Sequence, residues 1–235
     1  MFVRRHTPLL GIIVAALFLA TVLPTANAQG SVEGPNSPAT LASTAGPFFK
    51  PWTSPGNAAA SDDVDTTATV TAPLQQTDFL DATNFGFSIA AGRVIRRIDV
   101  KIEGRANTTF TTVRAQLLKG GVPVGSPMSA VYPNSATDGT ATLSDQDDVP
   151  FEIPLTVWDA TWTPAQINAA DFGVRLDFEA LSGSPVTFEV DHVRVWVYSF
   201  PTLPTTHAWG LIAMASALLG MGALALSRYR RRLSA

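Results

Sequence analysis

The sequence predicts an all-β protein: an antiparallel β-sandwich of jelly-roll type with one short helix, set between a signal peptide and a C-terminal membrane helix. Three observations predict it. Apolar and polar residues alternate with period two in stretch after stretch between residues 61 and 199, the pattern of strands with one buried face. Turn residues separate these stretches, and only one segment carries a helix start. The charge is also segregated: all 19 Asp and Glu lie between Glu33 and Asp191, whereas Arg4, Arg5, Arg228, Arg230, Arg231 and Arg232 lie outside them, beside apolar runs.

In chain order, residues 1–28 have the layout of a secretory signal peptide. Arg4 and Arg5 precede the apolar run Leu9–Leu23, and Ala26-Asn27-Ala28 is an A-x-A site for signal peptidase, so that the mature chain begins at Gln29. An uncleaved anchor is the alternative. Residues 29–60, rich in Gly, Ser, Pro, Ala and Thr, are expected to be a largely flexible linker, with Phe48, Phe49 and Trp52 docking on the domain.

Residues 61–199 are the expected sandwich. Thr67–Ala72 is a first strand, and Phe85, Phe87 and Ile89 alternate with Gly86, Ser88 and Ala90 as a second. In Arg97–Glu103, Ile98, Val100 and Ile102 face inward, while Arg97, Asp99, Lys101 and Glu103 face water. Val113, Ala115 and Leu117 repeat the pattern before the Lys119-Gly120-Gly121 turn, and Val149, Phe151, Ile153 and Leu155 repeat it again. Thr163-Pro164-Ala165-Gln166 reads as a capped helix of one or two turns: Thr as N-cap, Pro in the first turn, Gln reaching back. Val174, Leu176 and Phe178 are expected inside, with Arg175, Asp177 and Glu179 outside. In the last strand Val186, Phe188 and Val190 share one parity and Val193, Val195 and Val197 the other, which calls for a bulge at Val190–His192.

Residues 200–235 close the chain. Ala208–Leu226 holds 19 residues without a charge, about 28 Å of helix and close to the ~30 Å bilayer core. The four arginines after it belong on the cytoplasmic side, and Trp209 at the interface. Phe200-Pro201-Thr202-Leu203, Trp209-Gly210, the apolar run and the basic end together resemble an IPTL-CTERM signal, related in layout to PEP-CTERM signals. That resemblance implies an exosortase-like sorting peptidase as partner and delivery to the envelope, surface or extracellular matrix of a Gram-negative bacterium. Phe200 departs from the usual aliphatic residue, and Pro204–Ala208 is a longer spacer than the pattern has. Leu203-Pro204-Thr205-Thr206 also resembles a sortase signal, with His207 where that family has Gly. An uncleaved single-pass anchor is the third alternative. The sandwich itself resembles a type found in bacterial and phage surface proteins, through Asn84–Ile89, Ile95–Ile102, Trp158–Asn168, Phe172–Val174 and Val190-Asp191; this implies a fold and no activity.

Composition removes several functions. Without cysteine there is no disulfide, thiolate nucleophile or Cys-bound metal, and three His cannot build a multi-histidine centre. Between Glu33 and Arg194, ten Lys and Arg face nineteen acids, opposite to a nucleic-acid surface. His192 is the one base for a triad and reads as structural; no catalytic residue is assigned. Asp62, Asp63, Asp65 and Asp145, Asp147, Asp148 form two acidic turns that could serve calcium, the one cofactor considered, or simply be solvated. Trp158 and Trp162 are either a sugar-stacking platform or anchors for the helical turn. The expectation is a non-enzymatic exported surface or matrix protein. The alternatives are a lectin-like module binding polysaccharide and, further off, an envelope hydrolase.

Overall fold

A computed structural model describes residues 30–134, 137–144, 157–183 and 185–202, with positions 216 and 218. Its strands are β1 (Ser31–Asn36), β2 (Thr40–Thr44), β3 (Thr66–Val70), β4 (Phe79–Thr83), β5 (Arg93–Ala106), β6 (Thr111–Lys119), β7 (Val122–Val131), β8 (Gly139–Ser144), β9 (Gly173–Ala180) and β10 (Val186–Pro201). A 3₁₀ turn spans Pro55–Ala58 and a short helix, α1, spans Pro164–Ile167. Two five-stranded sheets result: sheet one runs β1-β10-β5-β8 with β3 also on β10, and sheet two runs β2-β4-β9-β6-β7. The strand pairs in both are antiparallel.

The core lies between them. Ile98, Val100 and Ile102 of β5 meet Val113, Ala115 and Leu117 of β6 and Val174, Leu176 and Phe178 of β9 in one buried cluster. Each large aliphatic side chain gains roughly 1.5–3 kcal/mol there, and a one-residue slip would bury charges in its place. Lys101, Glu103, Arg175 and Glu179 face outward as expected, partly exposed. Asp99 and Asp177 correct the expectation: both are on an outer face yet only 3% and 7% exposed, because Arg97 grips the first and Arg114 lies over the second.

The parity change in β10 is resolved by a bulge. Val190 pairs with Gly104 and His192 with Glu103, so Asp191 has no partner in the register. Val186, Phe188 and Val190 before it, and Val193, Val195 and Val197 after it, are all fully buried. The break also divides one edge of β10 between two neighbours: β3 pairs with Val186–Val190, and β1 with Val195–Ser199. Gly104, opposite the bulge, has φ 149°, and a Cβ there would collide with the Glu189 carbonyl and the Tyr132 hydroxyl.

Two local signals hold in detail. Gly120 and Gly121, at φ 63° and 73°, make the two-residue turn between β6 and β7. Gln166 N donates to Thr163 Oγ1 at 3.3 Å and Thr163 N to Gln166 Oε1 at 3.0 Å, a complete capping box.

Other expectations change. Residues 30–60 are no linker: β1 pairs with β10, β2 with β4, and Trp52 is buried with its Nε1 donating to Asp78 O at 2.8 Å. Short strands rich in Ser, Thr, Pro and Gly hold by backbone pairing, which composition does not display. Phe49 does not dock; it is 78% exposed. Phe85, Phe87 and Ile89 are buried in alternation but form no strand. Side chains replace the ladder: Asn36 Nδ2 donates to Phe85 O at 2.9 Å, Glu33 Oε2 accepts from Ser88 N at 3.1 Å, and Asn168 both accepts from and donates to Ile89. The expected strand 149–155 lies outside the described residues, as do 1–28 and nearly all of 203–235. Among the described residues no helix is long and apolar enough to cross a membrane.

Candidate binding groove

The outer face of sheet two is built from cross-strand pairs of opposite charge. The register sets Asp81 of β4 beside Arg175 of β9, and Arg114 of β6 beside Asp177 of β9. Arg175 donates through Nε and Nη2 to the two Asp81 oxygens, each at 2.7 Å, a bidentate fork. Its guanidinium lies 4.6 Å from the centre of the Phe79 ring. Arg114 Nε donates to Asp177 Oδ2 at 3.0 Å, joined by Nη2. Gln116 Nε2 donates to Gly125 O on β7 at 2.6 Å, and Pro127 walls the same side. A depression of about 160 Å³ is left between Phe79, Arg114, Gln116, Pro127, Arg175 and Asp177.

Electrostatics fix these groups in place. Burial holds the Asp177 carboxyl above its ordinary value, and the Arg114 hydrogen bonds and charge offset only part of the rise. The hydrogen bond to Asp81 raises the Arg175 guanidinium still further. Two cations and two anions leave the trough without net charge. It is a shallow surface of planar donors and acceptors with an aromatic and a proline at its edges, held rigid by its own ion pairs. Such a surface can hydrogen-bond a neutral, hydroxyl-rich chain laid across the strands, and it aims no nucleophile–base pair at a substrate.

The residues singled out in the sequence lie elsewhere. Trp158 is 2% and Trp162 8% exposed, so neither offers a platform to a sugar. Trp158 and Asp159, both with positive φ, turn the chain between Val157 and Ala160, and Trp158 Nε1 donates to Ile98 O at 2.9 Å. Trp162 Nε1 donates to Val157 O at 3.0 Å, and its ring packs on Phe172 at 5.5 Å. Both indoles anchor the segment around α1.

The first acidic turn does not converge. Asp62 N donates to Asp191 Oδ1 at 3.3 Å and its own Oδ1 accepts from Val64 N, while Asp63 is exposed. Asp65 turns away to Arg105, which also holds Asp138 at 3.0 Å and Glu189 at 2.5 Å. Among the described residues no group of three or more His, Asp or Glu is arranged to hold a metal. Asp145, Asp147 and Asp148 lie outside the described residues, as do Ala26, Ala28, Gln29, Leu203, Trp209, Gly210, Arg228, Arg230, Arg231 and Arg232. Phe200 and Pro201 are the last residues of β10, paired with Val94 and Arg93, and Thr202 donates to Gly92 O through N and Oγ1.

His192 is buried, with Nε2 2.8 Å from Ser37 Oγ and Nδ1 enclosed without a partner among the described residues. Burial first, then Arg194, lowers its pKa below the ordinary 6.5. We assign the proton of the neutral ring to Nε2, because a buried Nδ1–H would lack an acceptor. Ser37 Oγ then accepts from His192 and is not activated by it.

The sequence reading missed the groove because its parts come from four strands. It also passed over Trp196 and Tyr198, which share the outward parity of β10 with Arg194. On the outer face of sheet one, Lys101 Nζ lies 4.8 Å from the Trp196 ring and the Arg97 guanidinium 4.9 Å from the Tyr198 ring. The alternation opposite Val193, Val195 and Val197 is the signal that could have found them.

No family model and no curated protein matches the chain. Solved structures do. A carbohydrate-binding domain described as "CBM4 structure and function" is 18% identical over 63% of this chain and 89% of its own, with a TM-score of 0.34. The N-terminal cellulose-binding domain of Cellulomonas fimi β-1,4-glucanase C is 19% identical over 70% and 92%, TM-score 0.34. TmCBM61, in complex with β-1,4-galactotriose, is 6% identical over 68% and 93%, TM-score 0.34.

Proposed function

We propose that the sandwich is a non-enzymatic carbohydrate-binding module of an exported protein displayed at the cell surface or in the extracellular matrix. The observation that carries this is the uncharged-in-sum groove on sheet two, where Arg175–Asp81 and Arg114–Asp177 are pre-paired beside Phe79. A polysaccharide supplies what this surface lacks: a run of hydroxyls that both donate and accept, and C–H faces for the ring edge. Little ordering is needed on the protein side, because the ion pairs already hold the side chains. The names of the similar domains speak of the same ligand class for those proteins; for this chain the groove alone carries the reading.

The address belongs to the same proposal. Signal peptidase would release Gln29, the run 208–226 would enter the membrane with the basic end inside, and an exosortase-like peptidase would act near Phe200–Leu203. A glycan-array screen of the purified chain, with and without calcium, tests the binding. We expect retention of neutral polysaccharides, independent of calcium, that Arg175→Ala weakens about tenfold or more. An array without binders, or binding untouched by that substitution, overturns the reading.

A further inference from the structure

The sandwich has two unlike poles. Gly30 and Thr202 emerge at one, where β1 and the end of β10 pair from Ser31 to Ser199. At the other, the loops after β2, β3, β5 and β9 and the end of β7 meet. There Phe49 (78% exposed), Leu74 (62%), Phe110 (70%), Val131 (78%) and Leu181 (45%) stand in water. Backbone contacts join them: Leu74 N donates to Ala180 O at 2.7 Å, Leu181 N to Phe110 O at 2.9 Å, and Val131 pairs with Thr112. Lys50, next to Phe49, reaches Thr71 Oγ1 at 3.0 Å in the Leu74 loop.

Phe49, Leu74 and Phe110 hold φ of 52°, 63° and 60°. That region suits Gly, Asn or Asp, yet here it carries bulky apolar side chains at exposed loop tips. Beneath them the pole is rigid: Phe178 packs on Trp52 at 5.2 Å, Tyr132 at 4.7 Å and Phe188 at 5.5 Å. Across residues 45–51, 71–77, 107–110 and 181–183 the only charged residue is Lys50.

From this crown we propose that the pole inserts into the apolar layer of a lipid membrane. Three features select lipid. Three of the five, Leu74, Val131 and Leu181, gain by leaving water but give a sugar no ring face to stack on, so a polysaccharide matches only the two Phe tips. The side chains project from separate tips, which a fluid acyl layer accommodates without a matching pocket for each. Loop tips whose one charge is Lys50 suit the boundary between headgroups and chains, where charge is costly and Phe and Leu are favoured. The groove plays no part. If 208–226 enters a membrane, as the proposed address has it, this pole faces away from it toward a second, apposed layer.

The chain has no cysteine, so a single introduced one takes an environment-sensitive fluorophore. The full chain, its apolar end covered by an amphipathic polymer, is labelled at Phe49→Cys, Leu74→Cys or Phe110→Cys. Val122→Cys, exposed at the opposite pole, is the control. On adding phosphatidylcholine vesicles, the three pole labels should shift to the blue and be quenched by acyl-chain nitroxides, and the control should not. With a label at Leu181→Cys, Phe49→Asp, Leu74→Asp and Phe110→Asp should each raise the lipid needed about tenfold. Should those variants fold poorly, the single-cysteine chains decide alone. No shift at the pole, an equal shift at Val122, or a shift caused by protein concentration or soluble polysaccharide without vesicles overturns the proposal.

Discussion

The outer faces of the two sheets carry the same kinds of side chain and arrange them to opposite effect. Cross-strand Arg–carboxylate pairs occur on both faces, Arg194–Glu103 on sheet one among them, but on sheet two a hollow is left between Arg114, Arg175 and β7. On sheet one, Arg97 grips Asp99 at 2.7 and 2.8 Å while its guanidinium lies over Tyr198, and Lys101 and Arg194 both lie near Trp196, at 4.8 and 5.9 Å. Cations folded over rings fill their own face. Phe79 on sheet two is covered by Arg175 in the same way, so what sets the proposed binding surface apart is the space left between its fixed charges.

The largest effect expected of a single change is away from both faces. Trp158→Ala removes a buried indole and its bond to Ile98 O, and should cost about 3–5 kcal/mol in denaturant unfolding. Glycan binding by the folded fraction should be unchanged; lost binding with stability intact would return Trp158 to the site. Arg114→Ala comes next. It leaves the Asp177 carboxylate buried without its partner, at about 3 kcal/mol or more, and Arg114→Ala with Asp177→Ala should recover most of that. A double variant as unstable as the single one would mean that packing, not charge, holds this part of the groove.

Trp196→Ala is the counterpart on sheet one. An exposed cation–π contact contributes about 0.5–1 kcal/mol, so stability should fall by roughly that plus the half-buried ring area, with glycan binding intact. If it abolished retention instead, the assignment of the binding face would be reversed.

Much of this architecture is legible in the residues. Ile98, Val100 and Ile102 announce a buried face because their neighbours are all charged, and the parity change between Val190 and Val193 locates the Asp191 bulge. Thr163 and Gln166 announce their cap because capping is local. What is not legible depends on long-range pairing. Ser31–Asn36 and Thr40–Thr44 become strands only because β10 and β4 present edges to them. Asp177 was expected in water because alternation gives its face but not the arginine that covers it. Trp158 and Trp162 suggested a platform because indoles suit either stacking or burial, and residue type does not choose between them.

The smallest effects are those of pH, and they run in opposite directions. His192 is held below its ordinary 6.5 by burial and Arg194, against Glu103, Asp191 and Asp62, which favour its charge. A depressed pKa means stability that is present above 6.5 and lost as pH falls through the folded value. Asp65 is held above 3.8 by burial and by Asp138, Glu189 and Asp191, with Arg105 opposing. A raised carboxyl contributes stability below 3.8 that is lost as pH rises through its folded value, so at neutral pH its charge is a burden. Melting temperatures from pH 8 to 3 should separate the two. His192→Gln should flatten the fall that begins near pH 6.5, and Asp65→Asn should raise the melting temperature at pH 7 while Arg105 keeps Asp138 and Glu189. A lower melting temperature for Asp65→Asn at pH 7 would show that its pairing with Arg105 outweighs repulsion from the other carboxylates, and the cluster would then be a net stabilising ion-pair network.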